Sequence, residues 1–153
     1  MMENKGSGDL TYRTLIAYTD GASQGNPGPA GIGVIIAQPD GVIVKVLSEA
    51  IGRATNNVAE YTALIRALEE AISLGCADIE IYSDSELLVR QVAGSYKVRQ
   101  PHLYPLYQKV QLLRSKFQRA QLTYVPRESN QEADSLSKRA VRGKSDSHNS
   151  PST

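Results

Sequence analysis

The sequence contains no tryptophan, one phenylalanine and one cysteine among its 153 residues. A single cysteine excludes an intramolecular disulfide and a cysteine-based metal cluster. Cys76 stands in the segment SLGCADIEIY, where a small buried side chain is expected rather than a reactive thiol. No apolar run approaches the ~20 residues that a membrane-spanning helix needs, and the segment MMENKGSGDL lacks the apolar core of a secretory signal. We therefore expect a cytoplasmic protein.

Acidic residues are missing from one long stretch of the chain. The formal net charge is +1, but residues 88–127 hold eight basic residues and no acidic one. Residues 49–86 show the opposite bias, with eight acids against two bases. A basic block can be an ordinary solvated surface, and it can equally serve a polyanionic partner. Charge alone leaves both interpretations open.

Apolar periodicity and turn residues divide the chain into nine predicted elements. Strands are predicted where Ile and Val cluster between Gly, Pro, Asn or Asp residues, and helices where apolar residues recur every three or four positions. The third helix carries Pro105, which is expected in its first turn. In chain order the elements are strands 13–19, 31–37 and 42–51, helix 57–74, strand 78–83, helices 84–94 and 101–118, strand 120–126 and helix 130–141.

This order of elements predicts an α/β protein with a mixed five-stranded sheet. Three antiparallel strands come first and parallel strands follow, with helices on both faces. The length suits a single domain, which we assign to residues 11–142. Residues 1–10 are expected to be a flexible N-terminus. Residues 143–153 have no apolar periodicity and are expected to be a disordered C-terminal tail.

Four carboxylates occupy positions where a structural role is easily found: Asp20, Glu60, Asp84 and Asp134. Asp20 precedes a glycine between two apolar runs, which is the pattern of an ordinary turn. Glu60 follows Asn57 by three residues, as in a capping box. Asp84 opens a predicted helix, as an N-cap residue would. Asp134 lies in a first helical turn, where the helix dipole favours an acid.

Considered together, the four carboxylates predict a metal site. If the fourth strand is the parallel neighbour of the first, Asp84 lies beside Asp20 at one edge of the sheet, and Glu60 and Asp134 reach that edge from helix starts. Carboxylates held so close together repel one another unless a cation shares the site. An all-oxygen cluster suits Mg²⁺ or Mn²⁺ rather than zinc or copper. Two such ions ~4 Å apart suit an in-line displacement at a phosphodiester.

Four segments of the chain resemble type 1 ribonuclease H in order and in spacing: YTDGASQGNPGPAGIG, TNNVAEYTALIRALE, IYSDSELLVRQVAG and NQEADSLSKRA. The likeness runs from about residue 13 to residue 141. It implies the ribonuclease H-like fold and matches Asp20, Glu60, Asp84 and Asp134 to the family's four metal ligands. In that family two Mg²⁺ ions activate a water and stabilise the leaving oxygen. The RNA strand of an RNA/DNA hybrid is thereby hydrolysed, leaving 5′-phosphate ends.

The resemblance also implies which residues bind the substrate. Asn26, Asn56 and Asn57 match positions that read the minor groove of the hybrid, where a 2′-hydroxyl distinguishes RNA from DNA. Amides suit this task because they both donate and accept hydrogen bonds. Loop and capping duties are their structural alternative, above all for Asn57. Thr55 matches a position that helps to hold a DNA phosphate. We expect a monomer that uses Mg²⁺, with Mn²⁺ as an alternative ion.

Two features of the best-known family members are missing from this chain. No extra helix with a long basic loop precedes the third predicted helix, where the chain has only SYKVRQPH. Tyr96, Lys97 and Arg99 can replace that handle in part, with one aromatic ring and two charges. The loop before Asp134 also lacks the family's mobile histidine, and Arg127 is the candidate replacement. Arginine cannot act as a general base at neutral pH, but it can position a phosphate or help to expel the product.

Three functions are compatible with these observations. The first is an active, metal-dependent ribonuclease H. The second is a hybrid-binding module with weak or no catalysis, which the missing histidine and the missing handle favour. The third is a DNA-cutting enzyme of the integrase or resolvase type, which shares the architecture. The amides of the segment TNNVAE argue against the third, and the presence of all four carboxylates favours the first.

Overall fold

A computed structural model describes residues 12–143 of the chain. Two 3₁₀ turns, Pro101–Leu103 and Arg127–Ser129, precede the third and fourth helices. The predicted flexible segment 1–10 lies outside the described residues, as does all but the first residue of the predicted tail 143–153. The strands and helices are β1 (Thr14–Ser23), β2 (Gly28–Ala37), β3 (Ile43–Ala54), α1 (Asn56–Ser73), β4 (Asp78–Ser83), α2 (Glu86–Ala93), α3 (Tyr104–Arg114), β5 (Arg119–Tyr124) and α4 (Gln131–Arg142).

All five strands belong to one sheet with the order β3-β2-β1-β4-β5. β2 pairs antiparallel with both β1 and β3, whereas β4 pairs parallel with both β1 and β5. The predicted fold class and the predicted order of elements are thus confirmed. Between residues 12 and 143 no helix is both long and apolar enough to cross a membrane.

The two neighbouring strands β1 and β4 separate at the centre of the sheet. Their parallel pairing ends at Thr19 and Ser83, whereas β1 continues beside β2 as far as Ser23. The predicted strand 13–19 therefore ends four residues too early, and the turn explanation for Asp20 is wrong. Asp20 pairs with Gly33 of β2, because β2 supplies hydrogen-bond partners beyond the point where β4 stops.

Two helices approach the sheet closely because glycine faces them. A Cβ added to Gly21 of β1 would lie 2.2 Å from the backbone carbon of Ala59 in α1. A Cβ added to Gly33 of β2 would lie 2.2 Å from the backbone oxygen of Ala133 in α4. Helix α1 packs on β1 and β2, and α4 packs on β1, β2 and β3. These contacts bring residues of both helices to the point where β1 and β4 separate.

The main core lies between the sheet and the helices α1, α2 and α3, and it contains Cys76, as expected for a small buried side chain. Helix α3 is shorter than the predicted helix 101–118, because the chain turns after Arg114 and enters β5 at Arg119. Phe117 lies beyond the end of α3, in this turn. It matches the apolar spacing of the helix because the turn also buries it in the core. Pro105 stands at the start of α3, as predicted.

Candidate metal site and nucleic-acid interface

Three of the four predicted carboxylates meet where β1 and β4 separate. One oxygen from each of Asp20, Glu60 and Asp84 lies within 4.8 Å of the other two. Asp20 belongs to β1, Asp84 directly follows β4, and Glu60 extends from the first turns of α1. Asp20 is only 4% exposed, whereas Glu60 and Asp84 are half-buried. We call these three side chains the acidic triad.

Glu60 does not cap its own helix. The N-cap of α1 is Thr55, whose hydroxyl oxygen accepts the N–H of Val58 at 3.2 Å. The carboxylate of Glu60 instead crosses to β1 and accepts the N–H of Gly21 at 3.1 Å. The capping-box explanation for Glu60 is therefore wrong, because Thr55 is the residue that caps α1.

Asp84 does not cap α2 either. The hydroxyl of Ser85 accepts the N–H of Leu88 at 3.2 Å and serves as the N-cap. The carboxylate of Asp84 accepts a hydrogen bond at 3.2 Å from the side-chain amide of Asn130. The same amide nitrogen donates to the backbone oxygen of Thr19 at 2.9 Å. Asn130 therefore ties Asp84 to β1 at the point where the two strands separate.

The fourth predicted ligand, Asp134, lies at the edge of the acidic triad. It stands in the first turn of α4, as predicted, and its carboxylate lies 3.1 Å from the ammonium group of Lys138. It is close enough to Asp20 for its charge to raise the pKa of that residue. The structure thus places Asp134 beside the triad, with a cation of its own helix as partner.

The triad has the electrostatic character of a cation-binding site. Burial raises the pKa of Asp20 to about 7, with the charges of Asp84 and Asp134 adding to the rise and a hydrogen bond from Ser137 opposing it. Burial, followed by the charges of Asp20 and Asp84, raises the pKa of Glu60 well above its usual value. Such a group is stabilised by a proton or by a metal ion. Carboxylate oxygens alone are the donor set that hard divalent cations such as Mg²⁺ and Mn²⁺ prefer.

Two buried residues that hold the triad were not predicted from the sequence. Asn130 is 2% exposed and Ser137 is fully buried. The hydroxyl of Ser137 lies 2.6 Å from Oδ2 of Asp20. An isolated asparagine before a helix or a serine within one carries no signal of such a contact, because both residues are common there for local reasons.

Arg127 lies in the 3₁₀ turn before α4 and is exposed. Its charge lowers the pKa of Glu60, so its guanidinium acts electrostatically on the acidic triad. Of the two histidines, His102 lies in the other 3₁₀ turn, and His148 lies outside the described residues.

A hydrogen bond joins two of the asparagines that are predicted to read the minor groove, and a second bond ties one of them to β1. Oδ1 of Asn26 accepts the backbone N–H of Asn56 at 2.9 Å, and Oδ1 of Asn56 accepts the backbone N–H of Ser23 at 3.0 Å. These contacts hold the loop between β1 and β2 against the start of α1. Both use the side-chain oxygen, and neither consumes the side-chain NH₂ group.

Four other predicted substrate residues share one cavity. Asn57, Tyr96, Lys97 and Arg99 line a space of about 470 Å³ beside α2, together with Leu87, Gln91, Ser95 and Gln100. The guanidinium of Arg90 lies 5.4 Å from the centre of the Tyr96 ring, at a distance typical of a cation–π contact. We call the surface formed by Asn57, Tyr96, Lys97 and Arg99 the basic cleft.

Comparisons with known proteins agree with this fold. A family model described as "Reverse transcriptase-like" matches residues 18–140. Ribonuclease HI of Halobacterium salinarum is 45% identical over 125 residues, which cover 82% of this chain and 63% of that protein. The "Bifunctional protein Rv2228c" of Mycobacterium tuberculosis is 43% identical over 128 residues, which cover 83% of this chain and 35% of that protein. The chain thus spans only part of the length of these relatives.

Solved structures cover the same region of the chain. The crystal structure of RNase H1 from Halobacterium salinarum matches with a TM-score of 0.82 and 43% identity over 84% of this chain and 98% of that one. LC11-RNase H1 in complex with an RNA/DNA hybrid matches with a TM-score of 0.81 and 42% identity over 85% and 98% of the two chains. Fold and acidic triad together define a protein of the ribonuclease H-like class. Within that class, the chain belongs to the type 1 ribonuclease H family.

Proposed function

We propose that this chain is a metal-dependent endonuclease that hydrolyses the RNA strand of RNA/DNA hybrids. The observation that carries the proposal is the acidic triad, in which one oxygen from each carboxylate lies within 4.8 Å of the others. Two comparisons support it: a relative named ribonuclease HI and a similar structure solved with a hybrid. Because the chain spans only part of the curated relatives, the proposal concerns this domain.

The triad and Asp134 would hold two divalent ions, Mg²⁺ first and Mn²⁺ as an alternative. When bound, such ions supply Lewis-acid stabilisation of the charge that develops at the phosphate. The chain's own contribution is to hold close together carboxylates that repel one another. β1 and β4 place Asp20 and Asp84, and α1 carries Glu60 across to the backbone of β1.

Arg127 and Thr55 provide contacts for phosphate groups in this proposal. Arg127 is exposed and near enough to Glu60 to lower its pKa, and there its guanidinium can hold the product phosphate through charge-assisted hydrogen bonds. The hydroxyl oxygen of Thr55 accepts the N–H of Val58, so its proton remains available for a DNA phosphate. The positive end of the α1 dipole favours an anion at the same place.

In this proposal the asparagines and the basic cleft bind different strands of the hybrid. The NH₂ groups of Asn26 and Asn56 can donate to 2′-hydroxyls and base edges in the minor groove. In the basic cleft, Lys97 and Arg99 suit backbone phosphates, and the ring of Tyr96 suits stacking. This arrangement favours a hybrid over a DNA duplex, which has no 2′-hydroxyl.

A hybrid-binding module without catalysis is the second candidate. It is favoured by the loop VPRESNQEAD, which has no histidine, and by His102 being the only histidine within residues 12–143. The two candidates are separated by incubating labelled RNA/DNA hybrid with the protein in Mg²⁺ or in EDTA. Metal-dependent cleavage supports the enzyme, and binding without cleavage supports the module.

The basic cleft predicts how hybrid binding depends on salt. Changing both Lys97 and Arg99 to Ala is expected to weaken binding and to flatten the plot of log affinity against log salt by up to about one unit for each lost phosphate contact. Fluorescence anisotropy with a labelled hybrid at several salt concentrations measures this slope. Lys116→Ala is the matched control, because Lys116 is an exposed base outside the cleft. An unchanged slope in the double variant would place the DNA-binding surface elsewhere.

Arg127 predicts a moderate effect on turnover. Arg127→Ala is expected to lower kcat by on the order of 10²-fold or less, as for an assisting group, while Arg127→Lys retains part of the rate because the charge remains. Steady-state cleavage at saturating hybrid measures both variants. Arg142→Ala, at the other end of α4, controls for a general loss of positive charge. Wild-type turnover in Arg127→Ala would remove the role proposed for this residue.

A further inference from the structure

Ser137 is a fully buried hydroxyl next to the acidic triad. Its oxygen lies 2.6 Å from Oδ2 of Asp20 and 2.8 Å from the backbone oxygen of Asp134, one helical turn earlier. A serine in a helix often donates its hydroxyl hydrogen bond to a backbone oxygen three or four residues before it. Here the competing acceptor is a buried carboxylate at a shorter distance, and hydrogen bonds to ionised groups are the stronger ones.

Packing explains why residue 137 is small, but not why it carries a hydroxyl. A Cβ on Gly31 would lie 2.7 Å from the backbone oxygen of Ser137, and a Cβ on Gly33 would lie 2.7 Å from its backbone nitrogen. Helix α4 therefore lies tightly on β2, and only a small side chain fits. Alanine would fit equally well, has the higher helix propensity and would not bury a polar group. The hydroxyl is accounted for by its contact with Asp20.

Each carboxylate of the triad receives one hydrogen bond from a different part of the fold. Glu60 accepts from the backbone N–H of Gly21 on β1. Asp84 accepts from the amide of Asn130, just before α4. Asp20, the most buried of the three, accepts from Ser137 on α4. Outer contacts of this kind fix the orientation of metal-binding groups, and their loss typically costs 10- to 100-fold in metal affinity.

We propose that Ser137 is a positioning residue, whose hydroxyl fixes the orientation of the Asp20 carboxylate for binding a divalent cation. This inference rests on the proposed metal site. The donor on α4 binds Oδ2 and leaves the other oxygen of Asp20 free of this contact. Helix α4 thereby supplies both a carboxylate at the edge of the triad, Asp134, and the group that orients the carboxylate at its centre.

Calorimetric titration of the full chain with Mg²⁺ and with Mn²⁺ tests the inference without using activity. Ser137→Ala is expected to weaken the affinity about tenfold or more. Ser135→Ala is the matched control, because it makes the same chemical change at an exposed position of α4, and it should bind the ions like the wild type. Ser137→Cys fills the same space with a poor hydrogen-bond donor and should show the same weakening, so the test does not depend on one variant folding.

Cleavage at increasing Mg²⁺ provides the second readout. In Ser137→Ala the concentration of Mg²⁺ required for half-maximal rate should rise, saturating Mg²⁺ should restore most of kcat, and KM for the hybrid should remain unchanged. A merely structural defect would lower kcat at every Mg²⁺ concentration.

The outcomes separate this inference from the proposed function. If the wild type binds no divalent ion, or if Asp20→Asn binds it equally well, the metal site itself is wrong. If Asp20→Asn loses binding while both Ser137 variants bind like the wild type, the metal site stands and the role of Ser137 is overturned.

Discussion

Replacement of Asp20 by Asn is expected to reduce cleavage of an RNA/DNA hybrid by several orders of magnitude. Asn keeps the size of the side chain but removes the negative charge from the most buried member of the acidic triad, which is 4% exposed. Hybrid binding should survive, because the asparagines and the basic cleft are unchanged. Single-turnover cleavage of a labelled hybrid measures the rate, and fluorescence anisotropy measures binding.

Asp40→Asn is the matched control for this change. Asp40 is an exposed carboxylate in the turn between β2 and β3, where it accepts the N–H of Val42. The same loss of one charge at Asp40 should leave cleavage close to the wild-type rate. Near-normal turnover in Asp20→Asn would show that the metal-site assignment is wrong.

The metal-free protein is expected to lose stability as the pH rises from about 4 to about 8. The pKa of Asp20 is raised in the folded protein from 3.8 to about 7, and the pKa of Glu60 is raised as well. A carboxyl group with a raised folded-state pKa stabilises the fold fully below its unfolded pKa, and this contribution is lost as the pH passes through the folded pKa. The melting temperature in EDTA should therefore fall across this range.

Asp20→Asn should flatten this fall, because an amide does not ionise, and its melting temperature at pH 8 should exceed that of the wild type. Added Mg²⁺ should raise the wild-type melting temperature at pH 8, since a ligand that binds only the folded state stabilises it. Thermal unfolding followed by circular dichroism at several pH values measures all three curves. Asp40→Asn should follow the wild type. A wild-type curve in EDTA that stays level or rises between pH 4 and 8 would contradict the electrostatic account of the triad.

The order of the strands and helices could be predicted from the sequence because each element carries its own local pattern. Helix α1 shows apolar residues at spacings of three and four, and the strands are Ile- and Val-rich runs between turn residues. The ends of the strands and helices were predicted less accurately where tertiary contacts determine them. The Asp-Gly pair after Thr19 has the sequence of a turn, yet it continues a strand, because β2 pairs with it and α1 covers the glycine.

The triad could be anticipated because strand ends and helix starts meet at one edge of a mixed sheet. The two residues that orient it could not, since their partners are distant in sequence. Asn130 contacts Thr19 across 111 positions, and Ser137 contacts Asp20 across 117. Only the docking of α4 on the sheet brings these pairs together, and no local pattern records that docking. The roles of Arg127, Thr55, the asparagines and the basic cleft in substrate binding stay predictions.

A cleavage assay on three labelled duplexes of the same sequence, an RNA/DNA hybrid, a DNA duplex and an RNA duplex, tests whether this chain is a metal-dependent ribonuclease H. Each is incubated with the protein in Mg²⁺ and, separately, in EDTA, and the products are resolved on a denaturing gel. We expect cleavage in Mg²⁺ of the RNA strand of the hybrid, with 5′-phosphate ends, no cleavage of the DNA duplex, and no cleavage of any substrate in EDTA. Binding of the hybrid without metal-dependent cleavage, or cleavage of the DNA duplex, would contradict this proposal.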